Sequence, residues 1–170
     1  MSKPAAQPVQ SFLELRNQAL ALSWRKLSLT PTEKNPNVWG VLMEIGYPKA
    51  VVSLVCLING TVSFYFGHGG GLAGLGQYES VRMKAEEFIQ TAEVFLKKLS
   101  PTKKHPLPDI DRVRFYALTF TGIRTGQDNK NIADEKHELF PLFRCGHEVI
   151  AAIRKVKESE TITETEAPPE

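Results

Sequence analysis

Residues 38–66 read VWGVLMEIGYPKAVVSLVCLINGTVSFYF, and this stretch decides the fold class. In 38–47, Trp39, Val41, Met43, Ile45 and Tyr47 alternate with Gly40, Glu44 and Gly46. A period of two puts the first set on one well-buried face of a β-strand. Residues 50–58, AVVSLVCLI, are apolar at nearly every position, as in a central strand covered on both faces. Residues 61–66, TVSFYF, form a third strand. Asn59-Gly60 stands between the second and third strands, and both residue types tolerate the positive φ of a type I′ turn. Tyr47-Pro48-Lys49 closes the first hairpin. The stretch therefore predicts an antiparallel three-strand meander.

Outward from the meander the period changes to that of a helix. Upstream, residues 11–27 place Phe12, Leu15, Ala19 and Leu22 three and four apart, with Leu20, Trp24 and Leu27 widening the stripe and Ser11 at its start. Residues 28–37, with two Pro and two Asn, read as a loop. Downstream, Val81, Ala85, Phe88, Ala92, Phe95 and Leu99 mark a helix over 78–99 that ends at Ser100-Pro101. A connector over 100–111 holds three Pro, and RVRFYALTFT at 112–121 is a fourth strand. Residues 122–137 read as a polar loop. A last helix over 139–157 turns Leu142, Val149, Ile153 and Val156 inward, with Pro141 in its first turn.

The fold class is thus α+β, in the order α-β-β-β-α-β-α. The meander is extended by the fourth strand, placed beside the first and parallel to it, and helices pack on the sheet. This layering is similar to that of profilin-like and roadblock-type domains. The likeness is one of element order, and it implies a partner-binding or dimerising module.

The chain has 170 residues, 42% of them hydrophobic and 24% charged, enough for one self-sufficient core. The expected organisation is a flexible N-terminal tail (1–10), a single domain (11–157) and an acidic disordered tail (158–170). That last stretch holds five Glu and neither Lys nor Arg. The formal charge is +2, a sum in which the acidic tail masks a moderately basic domain. The chain has two cysteines and no stretch near the roughly 20 apolar residues of a membrane span, so a reduced, cytoplasmic protein is expected.

Six glycines fall in GHGGGLAGLG, residues 67–76. Gly69, Gly71 and Gly74 match G-x-G-x-x-G between a strand and a helix, where bare amides and a helix N-terminus favour anions. Gly67, His68, Gly69, Gly70, Gly71, Gly74, Gly76 and Arg82 are the candidate ligand-binding residues for a phosphate or carboxylate. The motif departs from dinucleotide-binding patterns. Its strand belongs to a hairpin, no acid ends a strand about 20 residues on, and Gln77-Tyr78 replace the Lys-Ser/Thr of a P-loop. The alternative is a sharp turn with no ligand.

Elsewhere the chemistry is sparse. His137, Cys145 and His147 do not match metal-ligand spacing, so no metal and no cofactor is expected. Glu44 is an ionisable residue in mid-strand, with Gly40 and Gly46 on its own face. It either pairs with a Lys or Arg across the sheet or lines a pocket. Arg112, Arg114 and Tyr116 alternate along one strand face, the pattern of a single-stranded nucleic-acid contact. The leading functional reading is a small, non-enzymatic regulatory or interaction module that self-associates, with an exposed edge of the meander as contact surface. The alternative is an anion-binding protein or enzyme using the glycine segment, and the third is a nucleic-acid binder.

Overall fold

The computed structural model describes residues 7–127 and 132–166. Helix α1 (Gln10–Leu20) is followed by strands β1 (Val38–Gly46), β2 (Val51–Leu57), β3 (Val62–Phe66) and β4 (Gly71–Leu72). Helix α2 (Glu79–Val94), β5 (Ser100–Thr102), β6 (Val113–Thr119), β7 (Gly122–Gln127) and α3 (Phe140–Glu166) complete the fold. The strands form one sheet in the order β4-β3-β2-β1-β6-β7-β5, and every neighbouring pair is antiparallel.

The α+β class and the meander are as the sequence predicts, but the sheet has seven strands instead of four. β4 and β5 are too short for a period of two to show. β7, GIRTGQ, is half-exposed along its length and carries no apolar alternation. The fourth predicted strand, now β6, does lie beside β1. It runs antiparallel to it, not parallel, with Met43 opposite Phe115. The chain leaves α2 through β5 at the far sheet edge and makes one more pass before entering β6.

Both faces of the sheet are buried. Val41, Met43 and Ile45 of β1 and Leu54 and Cys56 of β2 join the core beneath α2 and α3. The α2 stripe read from the sequence, Val81, Ala85, Phe88 and Ala92, meets them there. On the other face Leu42, Val55, Leu57, Tyr116 and Leu118 pack under Ala19 and Leu20 of α1. The expected β1 alternation breaks at its start. The register shifts between Val38 and Gly40, and this bulge turns Trp39 onto the α1 face with Leu42.

Three local expectations change. The β2–β3 connection is a three-residue loop, since the Leu57 amide donates to the Thr61 carbonyl at 2.9 Å. Only Gly60 takes positive φ there (90°), so the turn is not type I′. α1 stops at Leu20, and Trp24 and Leu27 reach the same core from the turns that follow. The Trp24 ring meets Phe120 edge-on at 5.2 Å. α3 continues past 157 to Glu166, into the stretch read as an acidic tail, while residues 167–170 and 1–6 lie outside the described residues.

Candidate functional site

The most concentrated chemistry in the fold is on the α1 face, around Glu44. β1 carries this carboxylate into the sheet interior at 0% exposure, and α1 supplies Arg16 at 4% from the stripe that also buries Phe12 and Ala19. Arg16 Nε donates to Glu44 Oε2 at 2.9 Å and Nη2 donates to Oε1 at 2.8 Å, a bidentate fork. Ser53, the β2 residue directly opposite Glu44, donates its hydroxyl to Oε2. Arg16 Nη2 also donates to the His105 carbonyl at 2.7 Å, and the Tyr116 hydroxyl donates to the Pro106 carbonyl at 2.5 Å.

The lid over this cluster is the proline-bearing connector. It can close because β1 ends in Gly46, where a Cβ would stand 2.0 Å from the Asp109 carbonyl oxygen. The Asp111 amide donates to the Gly46 carbonyl at 2.7 Å and the Gly46 amide donates to the Arg112 carbonyl at 2.9 Å. Glu44 is therefore ion-paired, as its position in mid-strand suggests. The cross-strand arginine, Arg114, sits opposite it but bonds to Gln127 instead. The partner comes from α1.

The electrostatics follow from the burial. Burial lowers the Arg16 pKa, but the bonds and charge of Glu44 outweigh it and hold the guanidinium above its ordinary value. Burial, then the Glu44 charge, pushes Tyr116 up to about 12. His105 is held below its ordinary value by burial and then by Arg16. A carboxylate with its acceptor positions filled and its surroundings closed has no surface to offer a substrate. The cluster is a clamp joining α1, the sheet and the connector.

The glycine segment splits into two parts. Gly67 continues the β2–β3 ladder, its amide donating to Val51 O at 2.7 Å, and Gly69–Gly71 close the β3–β4 hairpin: the Gly69 amide donates to Phe66 O at 2.9 Å and the Phe66 amide to Gly70 O at 3.2 Å. Gly69 and Gly70 supply φ values of 115° and 79° for this turn. Gly74 and Gly76 belong to the single 3-10 turn before α2. A Cβ on Gly76 would lie 1.7 Å from the Gly60 carbonyl oxygen, so the glycine is required by close approach of the β2–β3 loop. Arg82 Nη1 donates to Gly76 O at 2.9 Å. His68 lies outside, stacked on Phe66 with centroids 5.8 Å apart. These residues thus do not converge on one cradle at the start of α2, which is at Glu79.

Nor do Arg112, Arg114 and Tyr116 make one surface. Tyr116 is 0% exposed and has no ring face for a base. Cys145 Sγ lies 3.4 Å from Thr91 Oγ1, and the half-buried His147 packs against Phe143 at 4.3 Å. Its pKa is lowered by burial and then by Arg154. Among the described residues no group of three metal-binding side chains assembles, and no helix is long and apolar enough to cross a membrane.

Two of the grooves in the described structure flank α3, and neither is foretold by the sequence. One, of about 420 Å³, runs between the outer sides of α2 and α3, past Glu87, Gln90, Val94, Arg144 and Cys145. The other, of about 300 Å³, lies between α3 and the sheet, where Phe64 and Phe66 of β3 and Leu72 of β4 face Ile150 and Ile153. Helical periodicity puts their α3 residues on opposite sides of the helix, Arg144 and Glu148 on one and Ile150 and Arg154 on the other. The signal in the sequence is faint: two cations three apart, Arg154 and Lys157, on an otherwise inward-facing side of α3.

No protein family, characterised protein or solved structure matches the chain.

Proposed function

We propose that the chain is a non-enzymatic interaction module that associates with a second copy of itself through the outer face of α2. The observation that carries this reading is the pair Met83 and Val94, the two most exposed large hydrophobic residues described, at 54% and 77%. They stand eleven residues apart, three helical turns, and so share one line along α2. Glu87 and Gln90 lie between them on the same line.

The pairs 83 with 94 and 87 with 90 have a common midpoint. A two-fold axis there sets Met83 of one copy on Val94 of the other and a Glu87 carboxylate beside a Gln90 amide, an isologous contact. The groove beside Val94 gives such a contact depth. The sheet edges offer little contact surface: β4 has two residues, and β5 has three including Pro101.

Sedimentation of the full chain over a range of concentrations tests the reading. The expected result is a monomer–dimer equilibrium that the Met83→Glu/Val94→Glu double variant shifts wholly to monomer while leaving the thermal midpoint unchanged. A wild-type chain that stays monomeric to roughly 1 mM, where association is worth only about 4 kcal/mol, overturns it. So does a dimer insensitive to both substitutions.

A further inference from the structure

We infer that the groove between α3 and the sheet is a binding site for a small amphiphile: an unbranched apolar body ending in a single carboxylate, the carboxylate held by Arg154. Three observations converge on this chemistry. The walls are apolar on both sides, Val52, Phe64, Phe66 and Leu72 from the sheet and Ile150 and Ile153 from the helix. Tyr47, at the end of β1, stands at the mouth and is 42% exposed.

The charged lining residues are Arg154 and Lys157, and no lining residue is acidic. Lys157 is already held, by Glu160 at 3.1 Å and over the Tyr78 ring at 5.8 Å. Arg154 makes no ion pair with any described residue, so among these residues the lip holds a guanidinium without an acidic partner next to an apolar floor. A guanidinium so placed binds a carboxylate through two parallel hydrogen bonds. The last observation is size. At about 300 Å³ the groove is at the small end of ligand sites and holds about ten water-sized groups of ~30 Å³ each. That is too little for a folded partner's side-chain cluster and suits one short chain.

The gap exists for a reason in the fold. Two helices cover one face of a seven-stranded sheet. α3 crosses β1 at Gly146, where a Cβ would meet Met43 Sδ at 2.4 Å. Beyond that crossing the side of α3 away from α2 overhangs the β2–β4 end, and among the described residues no third helix closes it. The site is independent of the α2 contact proposed above, on the opposite side of α3, so either can fail without the other.

The test uses octanoate, a carboxylate of about the right size, titrated into the full chain and followed by NMR. The expected result is saturable binding with a dissociation constant of roughly 0.1–1 mM, with shifts centred on Phe64, Phe66, Leu72, Ile150 and Ile153. Octyltrimethylammonium, with the same chain and opposite charge, gives no saturable shift at these residues. Arg154→Gln, a substitution on an exposed side chain, weakens octanoate roughly tenfold without lowering the thermal midpoint. Leu72→Trp fills the groove and abolishes binding; should that variant not fold, the Arg154→Gln and charge-reversal results decide alone. The inference is overturned by absence of saturable binding, by equal binding of octanoate and octyltrimethylammonium, by shifts centred elsewhere, or by an Arg154→Gln variant that binds octanoate as tightly as the wild type.

Discussion

Removing Arg16 while keeping Glu44 is the sharpest probe of the clamp. In Arg16→Met a carboxylate at 0% exposure loses a bidentate partner whose two shortest bonds are 2.8 and 2.9 Å, and keeps only the Ser53 hydroxyl. Breaking a buried pair from one side typically costs 3–5 kcal/mol, because the remaining charge is uncompensated, so the variant should lose about 4 kcal/mol. For a chain of this length each kcal/mol moves the midpoint by about 2–4 °C, so melting should fall by about 8–16 °C. The Arg16→Met/Glu44→Met double variant removes both charges and fills the space with apolar atoms. It should recover much of the loss, with a coupling energy of about 2–3 kcal/mol between the two sites. Urea denaturation of the four proteins closes the cycle. Single losses that simply add to within about 0.5 kcal/mol, or an Arg16→Met loss below about 1 kcal/mol, would refute the clamp.

Two more outcomes follow from the same geometry. Gly46→Ala and Gly76→Ala add a methyl against backbone oxygens at 2.0 and 1.7 Å and should each lose about 3 kcal/mol. Gly70→Ala, with nothing within 4 Å and φ of 79°, should lose only about 1–2 kcal/mol of left-handed strain, and chemical denaturation ranks the three. Tyr116 is raised to about 12 in the fold from about 10 in an unfolded chain. Its contribution is therefore complete below pH 10 and is lost as pH rises through 12. Tyr116→Phe should flatten that alkaline decline, measured by melting across the window, while losing about 1 kcal/mol near neutrality with the bond to Pro106.

The residues that local periodicity governs were legible. Val81, Ala85, Phe88 and Ala92 read as one helical stripe and are all buried at 3% or less. β2 reads as doubly covered and is buried at every position. Period says nothing about strands of two or three residues, and so the edges β4 and β5 were invisible. β7 was hidden differently, since its partners lie across a turn and its own side chains are half wet. Glu44 announced itself as an acid in mid-strand. Its partner did too, in retrospect, as an arginine on the same helical face as Phe12 and Ala19, but nothing local tells a reader that two outliers 28 residues apart are each other's answer. The glycine motif misdirects for a related reason. Turns and close backbone crossings demand the same residue as a phosphate loop, and only the destinations of the amides tell them apart.

The Arg16 fork reaches acceptors separated from it by very different lengths of chain. Glu44 follows it by 28 residues and the His105 carbonyl by 89. On a ribosome adding roughly 5–20 residues per second, about 4–18 s pass between the emergence of the guanidinium and that of the His105 carbonyl. Once Glu44 has emerged, α1 has its anion but not its lid, and the pair is open to water. The N-terminal helix is thus made first and fastened late. Its fastening reports that the connector ahead of β6 has arrived, which makes the Arg16 contact a marker for the chain having passed residue 105 during synthesis.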